Sequence, residues 1–310
     1  MTQHWAATDI GDQQGRVAVV TGGNGGLGLA AAAALAEHGA TVVLAGRDPG
    51  RTRDAADRLR AGLPKSGGAV QTAELDLASL ESVRKAAADL AGRFPQLDLL
   101  INNAGVMVPP YGLTKDGFEL QFGTNHLGHF ALTGLLLPAL LATPGSRVVT
   151  VASNAHRTGR INFGDLQSAG HYRKSAAYGQ SKLANLMFTY ELQRRLSAAD
   201  AGTMAVAAHP GTAATDLTRH MSTFVNTVLS DRLRPVNAWL VQDGTAGALP
   251  LLRAATDPQA IGGTYYGPDG FLQFTGNPVL VTSSSRSYNK EAQRRLWAES
   301  EQLTQVSYPV

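Results

Sequence analysis

Tyr178 and Lys182 stand four residues apart in the stretch Tyr178-Gly179-Gln180-Ser181-Lys182. They open a segment whose apolar residues, Leu183, Ala184, Leu186, Met187, Leu192 and Leu196, recur at helical spacing. On such a helix positions i and i+4 share a face, so the phenol and the ammonium project side by side. A phenol ordinarily titrates near pH ~10. A neighbouring cation stabilises its phenolate, which suits the pair to acid/base catalysis. Tyr-x-x-x-Lys alone is common enough to mean only two polar residues on an exposed helix face. Its meaning therefore rests on what the other elements bring to it.

The first such element is a short Val-rich run, Arg16 to Thr21, of the kind that forms a buried parallel strand. The cluster Gly22-Gly23-Asn24-Gly25-Gly26-Leu27-Gly28 follows it, then an Ala-rich helix to about His38 and a second strand, Thr41 to Ala45. A strand, a glycine turn, a helix and a strand make a dinucleotide-binding βαβ unit, with a pyrophosphate at the positive end of the helix. The glycines fit two frames, Gly23-x-Gly25-x-x-Gly28 and Thr21-Gly22-x-x-x-Gly26-x-Gly28. Both predict a bound dinucleotide.

The second strand runs out as Leu44-Ala45-Gly46-Arg47-Asp48. An acidic residue here would suit the ribose 2′-hydroxyl of NAD, whereas an Arg suits the 2′-phosphate of NADP. Gly46 removes a side chain from the expected acid position and Arg47 supplies a guanidinium, which favours NADP(H) over NAD(H). Asp48 also reads as the start of a turn through Pro49-Gly50.

The alternation continues. Arg51 to Ala61 reads as helix, Ala69 to Leu75 as strand, Leu80 to Phe94 as helix, and Leu97 to Ile101 as strand. Asp76-Leu77 and Asn102-Asn103-Ala104-Gly105 thus fall just past strand ends, where open α/β sheets bind ligands. Asx turns account for Asp76 and Asn103 equally well. Phe118 to Leu141 reads as one long apolar helix holding Asn125, His126 and His129. With no third ligand evident, the two histidines read as packing or surface residues and no metal site is expected. Arg147 to Ala152 is a strand that delivers Ser153 to the same edge; Asn154 to Ala177 is a polar connection; Thr203 to Ala208 is a strand ending at His209-Pro210-Gly211.

This order predicts an α/β fold, a doubly wound parallel sheet (Rossmann fold) in one domain from residue 15 to 310, after an N-terminal extension over 1–14. The chain has 310 residues, 44% hydrophobic and 16% charged, as expected of a well-cored globular protein. Its formal net charge of +3 comes from scattered Lys and Arg, so no nucleic-acid partner is expected. Cysteine is absent, which excludes disulfides and thiolate metal sites. The longest apolar run, Leu132 to Ala142, is too short for a membrane span and contains Pro138. Residues 1–14 are polar and unlike a signal peptide, so no membrane anchor and a cytoplasmic location are expected.

These residues together resemble the short-chain dehydrogenase/reductase family, in its order and spacing, over roughly residues 15 to 215: Thr21-Gly22-x-x-x-Gly26-x-Gly28, Asp76, Asn102-Asn103-Ala104-Gly105, Asn125, Ser153, Tyr178-x-x-x-Lys182 and Pro210-Gly211. The resemblance selects the frame of Gly22, Gly26 and Gly28. Thr124-Asn125-His126-Leu127-Gly128-His129-Phe130, Ser153-x-Ala155-His156 and the tail from Gly262 are similar to the retinol-dehydrogenase-like branch.

The family implies Tyr178 as acid/base, Lys182 as the group that lowers its pKa and holds the nicotinamide ribose, Ser153 on the substrate oxygen, and Asn125 holding a water in a proton path. It also implies a dinucleotide against Gly22, Asn24, Gly26, Leu27, Gly28, Arg47, Asp76, Leu77, Asn103, Ala104, Gly105, Pro210, Gly211 and Thr215. The family closes the region around residues 212–243 over substrate, and its apolar residues suit a helical lid; a helix pair packed on the body or on another subunit fits them too. The function so implied is interconversion of a carbonyl and an alcohol on an apolar substrate such as an aldehyde, ketone, retinoid or steroid, and a homo-oligomer is allowed for. Two alternatives are a C=C reductase of the protochlorophyllide-reductase type, weakened by the lack of Cys, and a non-catalytic dinucleotide-binding protein, weakened by the complete tetrad.

Overall fold

The Val- and Ala-rich runs become strands because each must bury both of its faces. The computed structural model describes residues 4–211 and 244–310. Among them lie β1 (Val17–Thr21), β2 (Thr41–Gly46), β3 (Val70–Glu74), β4 (Leu99–Asn102), β5 (Arg147–Val151), β6 (Met204–Ala208), β7 (Tyr265–Pro268) and β8 (Pro278–Leu280). They form one sheet in the order β3-β2-β1-β4-β5-β6-β7-β8, parallel except for β8, which runs antiparallel to β7. Within β1, Ala18 and Val20 enter one core cluster and Val19 the other, on opposite faces of the sheet. That is the doubly wound architecture expected.

The helices α1 (Gly26–Glu37), α2 (Pro49–Gly62) and α3 (Leu80–Arg93) follow the first three strands. The predicted helix over Phe118 to Leu141 is not regular. It starts as a single turn at Leu120–Phe122, widens into a π-helical turn at Gly123–Leu127, and continues as α4 (Gly128–Leu141). In the wide turn the Gly128 N–H donates to the Gly123 carbonyl, five residues back. Asn125 lies inside it.

The Tyr178 helix, α5 (Lys174–Ala198), begins one turn before Tyr178 instead of at it. The residues Lys174-Ser175-Ala176-Ala177 include good helix formers and extend it towards the N-terminus. α6 (Gly244–Thr256) and α7 (Lys290–Thr304) complete the α-helices among the described residues.

The tail fixes α4 against α5. Trp297 of α7 packs on Phe130 and Phe188 with ring centroids 5.1 and 5.9 Å away, and the Tyr308 hydroxyl donates to the Phe130 carbonyl at 2.6 Å. Residues before β1 also join the core, through Trp5 and Ile10. Among the described residues, no helix is long and apolar enough to cross a membrane. The expected lid over 212–243, and Thr215 with it, lies outside the described residues.

Candidate active site

The strand order reverses between β1 and β4, and a crevice forms there beyond the strand C-termini. On its β1 side the chain turns at Gly22, whose φ of +65° is a left-handed conformation that favours glycine. Gly28 is bound to its identity by space: a Cβ there would lie 2.5 Å from Asn103 Nδ2 and 2.5 Å from the Gly22 carbonyl oxygen. No side chain caps the N-terminus of α1 at Gly25, so its first N–H groups remain available to an anion. A turn closed to a Cβ at Gly28 and an uncapped helix end together fit a dinucleotide pyrophosphate. Gly28→Val is expected to abolish dinucleotide binding while a folded protein persists, measured by NADPH fluorescence titration alongside circular dichroism.

Asn103 and Ala104 close the other wall. Their main-chain N–H groups both donate to Thr21 Oγ1 at 2.9 Å, and Asn103 Nδ2 donates to the Thr21 carbonyl at 2.8 Å. Asp76 makes the Asx turn allowed for it, accepting from Ala78 N–H at 3.1 Å, with Lys115 Nζ 3.5 Å from its other oxygen. Leu27 and Leu77 are buried in the two core clusters. At the end of β2, Asn24 lies beside Gly46, and a Cβ at Gly46 would sit 2.5 Å from Thr52 Oγ1. The Asp48 carboxylate caps α2, accepting from Arg51 N–H at 3.1 Å, while Arg47 is exposed.

Ser153 follows β5 in extended conformation, and its Oγ accepts from Ala155 N–H at 3.2 Å. The hydroxyl hydrogen is thereby left to donate elsewhere. Lys182 is buried at 4% exposure, and its Nζ donates to the Val151 carbonyl at 3.1 Å and sits 5.8 Å from the Tyr178 ring centroid. Asn125 is fully occupied by its neighbours. Its Nδ2 donates to the Val106 carbonyl at 2.9 Å and to Ser181 Oγ at 3.0 Å, and its Oδ1 accepts from Val106 N–H at 2.8 Å. A Cβ at Gly105 would lie 2.9 Å from Asn125 Oδ1 and 3.8 Å from Lys182 Nζ, which places the amide beside the ammonium. Gly211 N–H donates to His209 Nδ1 at 3.2 Å, next to Pro210.

The electrostatics correct one expectation. Burial pushes the Tyr178 phenol up to about 12, and only the Ser153 hydroxyl pulls it back. Burial also brings Lys182 down to about 8. The ammonium lies against a main-chain carbonyl and does not lower the phenol in the protein alone. Sequence reasoning also missed the clamps on the site: Thr21 Oγ1, the Val106 and Val151 main chains, and Ser181. All four act through main-chain atoms or small hydroxyls, which carry no distinctive sequence pattern.

The short chain dehydrogenase family model matches residues 16–226. The chain belongs to the short-chain dehydrogenase family. It is 41% identical to human retinol dehydrogenase 13 over 95% of this chain and 86% of that protein. To mouse polyprenol dehydrogenase it is 40% identical over 94% of this chain and 84% of that one. Among solved structures, an uncharacterized protein from Mycobacterium paratuberculosis superposes with a TM-score of 0.81 at 42% identity, covering 99% of this chain and 100% of that one. The NADP complex of Pseudomonas aeruginosa RhlG superposes with a TM-score of 0.64 at 26% identity, over 82% and 94% of the two chains. This short-chain dehydrogenase is therefore a retinol-dehydrogenase-like oxidoreductase with a nucleotide-binding Rossmann fold.

Proposed function

We propose that the chain interconverts a carbonyl and an alcohol on an apolar substrate with NADP(H), Tyr178 serving as acid/base. The observation that carries this reading is the meeting of Tyr178, Ser153 and Lys182 at one sheet edge, beside the glycine cradle of α1. When bound, the nicotinamide supplies the hydride. In reduction Tyr178 gives its hydroxyl proton to the carbonyl oxygen. Ser153, whose hydroxyl is hydrogen-bonded to the phenol in the protein alone, donates to the same oxygen, where negative charge develops. Lys182 has two N–H groups beyond the one on Val151, and these would hold the nicotinamide ribose when the dinucleotide is bound. Asn125 takes part through its main-chain carbonyl, since its side-chain amide is committed to Val106 and Ser181.

The apolar substrate is supported by the loop beside Ser153. Asn154 Nδ2 donates to the Leu272 and Gln273 carbonyls at 3.2 and 3.3 Å, and this holds the exposed side chains of Phe271 and Leu272 near the site. Relatives named for retinol and polyprenol agree with it. NADP(H) is supported by Asp48 being spent on its helix cap while Arg47 stays exposed. Arg47→Ala is expected to weaken NADPH binding roughly 10- to 100-fold, as losing a charge-assisted contact should, and to leave NADH binding unchanged. Tighter binding of NADH than NADPH by the wild type would refute the preference. NADPH oxidation over a panel of retinoids, steroids, aliphatic aldehydes and ketones tests the substrate reading. Turnover confined to small polar carbonyls would overturn it.

A further inference from the structure

Two buried histidines on different elements share one arrangement. His129 of α4 contacts the Asn125 main-chain carbonyl through Nδ1 at 3.0 Å and Thr21 Oγ1 through Nε2 at 2.9 Å. His156, in the turn after β5, contacts the Ser153 main-chain carbonyl through Nδ1 at 2.6 Å and the Ser284 N–H through Nε2 at 3.1 Å. A carbonyl only accepts, so Nδ1 carries the hydrogen in both rings. A main-chain N–H only donates, so Nε2 of His156 is bare. Thr21 Oγ1 already accepts from Asn103 and Ala104, and its one hydrogen can go to the Ile101 carbonyl at 3.3 Å or to Nε2 of His129 at 2.9 Å; with Nδ1 protonated and the buried ring neutral, Nε2 is bare and takes it. Both rings are neutral Nδ1–H tautomers.

The two carbonyls belong to two members of the tetrad. We propose that His129 and His156 are positioning residues, each fixing the main-chain carbonyl of one tetrad member, Asn125 or Ser153, and tying it to a distant segment. The role rests on the oxidoreductase reading above. Asn125 sits in the π-helical turn, where the ordinary i→i+4 pattern is broken and a side-chain donor can hold the peptide in place. His129 joins that turn to Thr21, the residue just before the glycine cradle. His156 joins Ser153 to the segment after β8, and its ring N–H adds to the His156 main-chain N–H that the same carbonyl accepts at 3.0 Å, which restrains the peptide that aims the Ser153 hydroxyl. Burial keeps both rings neutral, each titrating near 4. A histidine that merely filled space would affect stability without a selective effect on turnover.

Asparagine places an amide N–H near the position of Nδ1 and leucine does not. His129→Leu and His156→Leu are expected to lower kcat for a carbonyl substrate roughly 10- to 100-fold, as small misplacements of reacting groups do, with NADPH affinity little changed. His129→Asn and His156→Asn are expected to recover most of that loss. Equal losses in the Leu and Asn variants, no loss in either, or a loss confined to NADPH affinity would overturn the role.

Should the Leu variants not fold, Ser284→Pro removes the donor to His156 at a φ of −67° that proline accepts, and it should lower kcat while leaving NADPH affinity intact. Long-range nitrogen NMR of the histidine-labelled wild type reads the tautomers directly at neutral pH. An Nε2–H form at either residue, with normal wild-type turnover, sinks the positioning role alone. Absent wild-type turnover would sink the oxidoreductase reading and this role together.

Discussion

Tyr178→Phe is expected to lower turnover of a carbonyl substrate by roughly 10³-fold or more, the scale of losing a positioned general acid, while NADPH still binds. That factor corresponds to about 4 kcal/mol of transition-state stabilisation. The ring stays and only the hydroxyl goes, so packing around α5 is preserved and the change falls on the proton. In the wild type the phenol is held at about 12 by burial, so it is protonated throughout the neutral range. It is therefore poised to give a proton, as reduction requires. In the reverse reaction the phenolate must form first, and at pH 8 roughly one site in 10⁴ carries it in the protein alone.

Lys182 sets the alkaline side of the same profile. Its pKa, brought down to about 8 by burial, means its charge is lost as pH rises through that value. Carbonyl reduction should accordingly decline above about pH 8 in steady-state assays with saturating NADPH. The measurement that decides the Tyr178 role is single-turnover NADPH oxidation by the Phe variant. A rate within tenfold of wild type would end the acid/base assignment.

How far this site could be read before its structure depends on the kind of contact involved. Buried parallel strands announce themselves as Val and Ala runs because both faces are covered, and β1 to β6 lie within two residues of the predicted positions. The glycine turn was legible because backbone geometry restricts it to one residue type. The π-helical turn at Asn125 was not. It accompanies an amide clamped to Val106, nineteen residues away in sequence, and a regular helix satisfies the same apolar pattern. β7 and β8 escaped notice as strands because Tyr265–Pro268 and Pro278–Leu280 are too short to show a period. The expectation that Lys182 lowers Tyr178 followed from helical spacing alone, which gives proximity but not burial. His129 and His156 hold carbonyls four and three residues earlier and answer to partners more than a hundred residues away. No periodicity carries that information.

Acid should unfold this protein far more readily than its carboxylates alone would require. His126, His129, His156 and His209 are all buried, and burial lowers them to about 3, 4, 4 and 3. In the unfolded chain each returns to about 6.5. The unfolded state therefore binds more protons between those values, and stability is complete above pH ~6.5 and falls as pH drops towards 4. At pH 5.5 each histidine costs between about 1 and 2 kcal/mol, so the four together remove about 6 kcal/mol, a large part of a typical domain's 5–15 kcal/mol. Glu119, raised by burial, works in the opposite direction, but it is one group against four. Thermal unfolding should therefore move down by roughly 10 °C between pH 7.5 and pH 5.5.

His126→Phe isolates one contribution. The ring sits among Phe122, Phe130 and Phe188, so an aromatic replacement keeps the packing. Its polar contacts with Ser300 Oγ and with the Asn185 side chain are lost, and the Ser300 hydroxyl still donates to the Leu296 carbonyl. The variant should lose about a quarter of the acid slope in pH-dependent denaturant unfolding. An unchanged slope would show that His126 is not neutral in the fold, and a flat wild-type profile from pH 7.5 to 5.5 would refute the buried, uncharged state of all four.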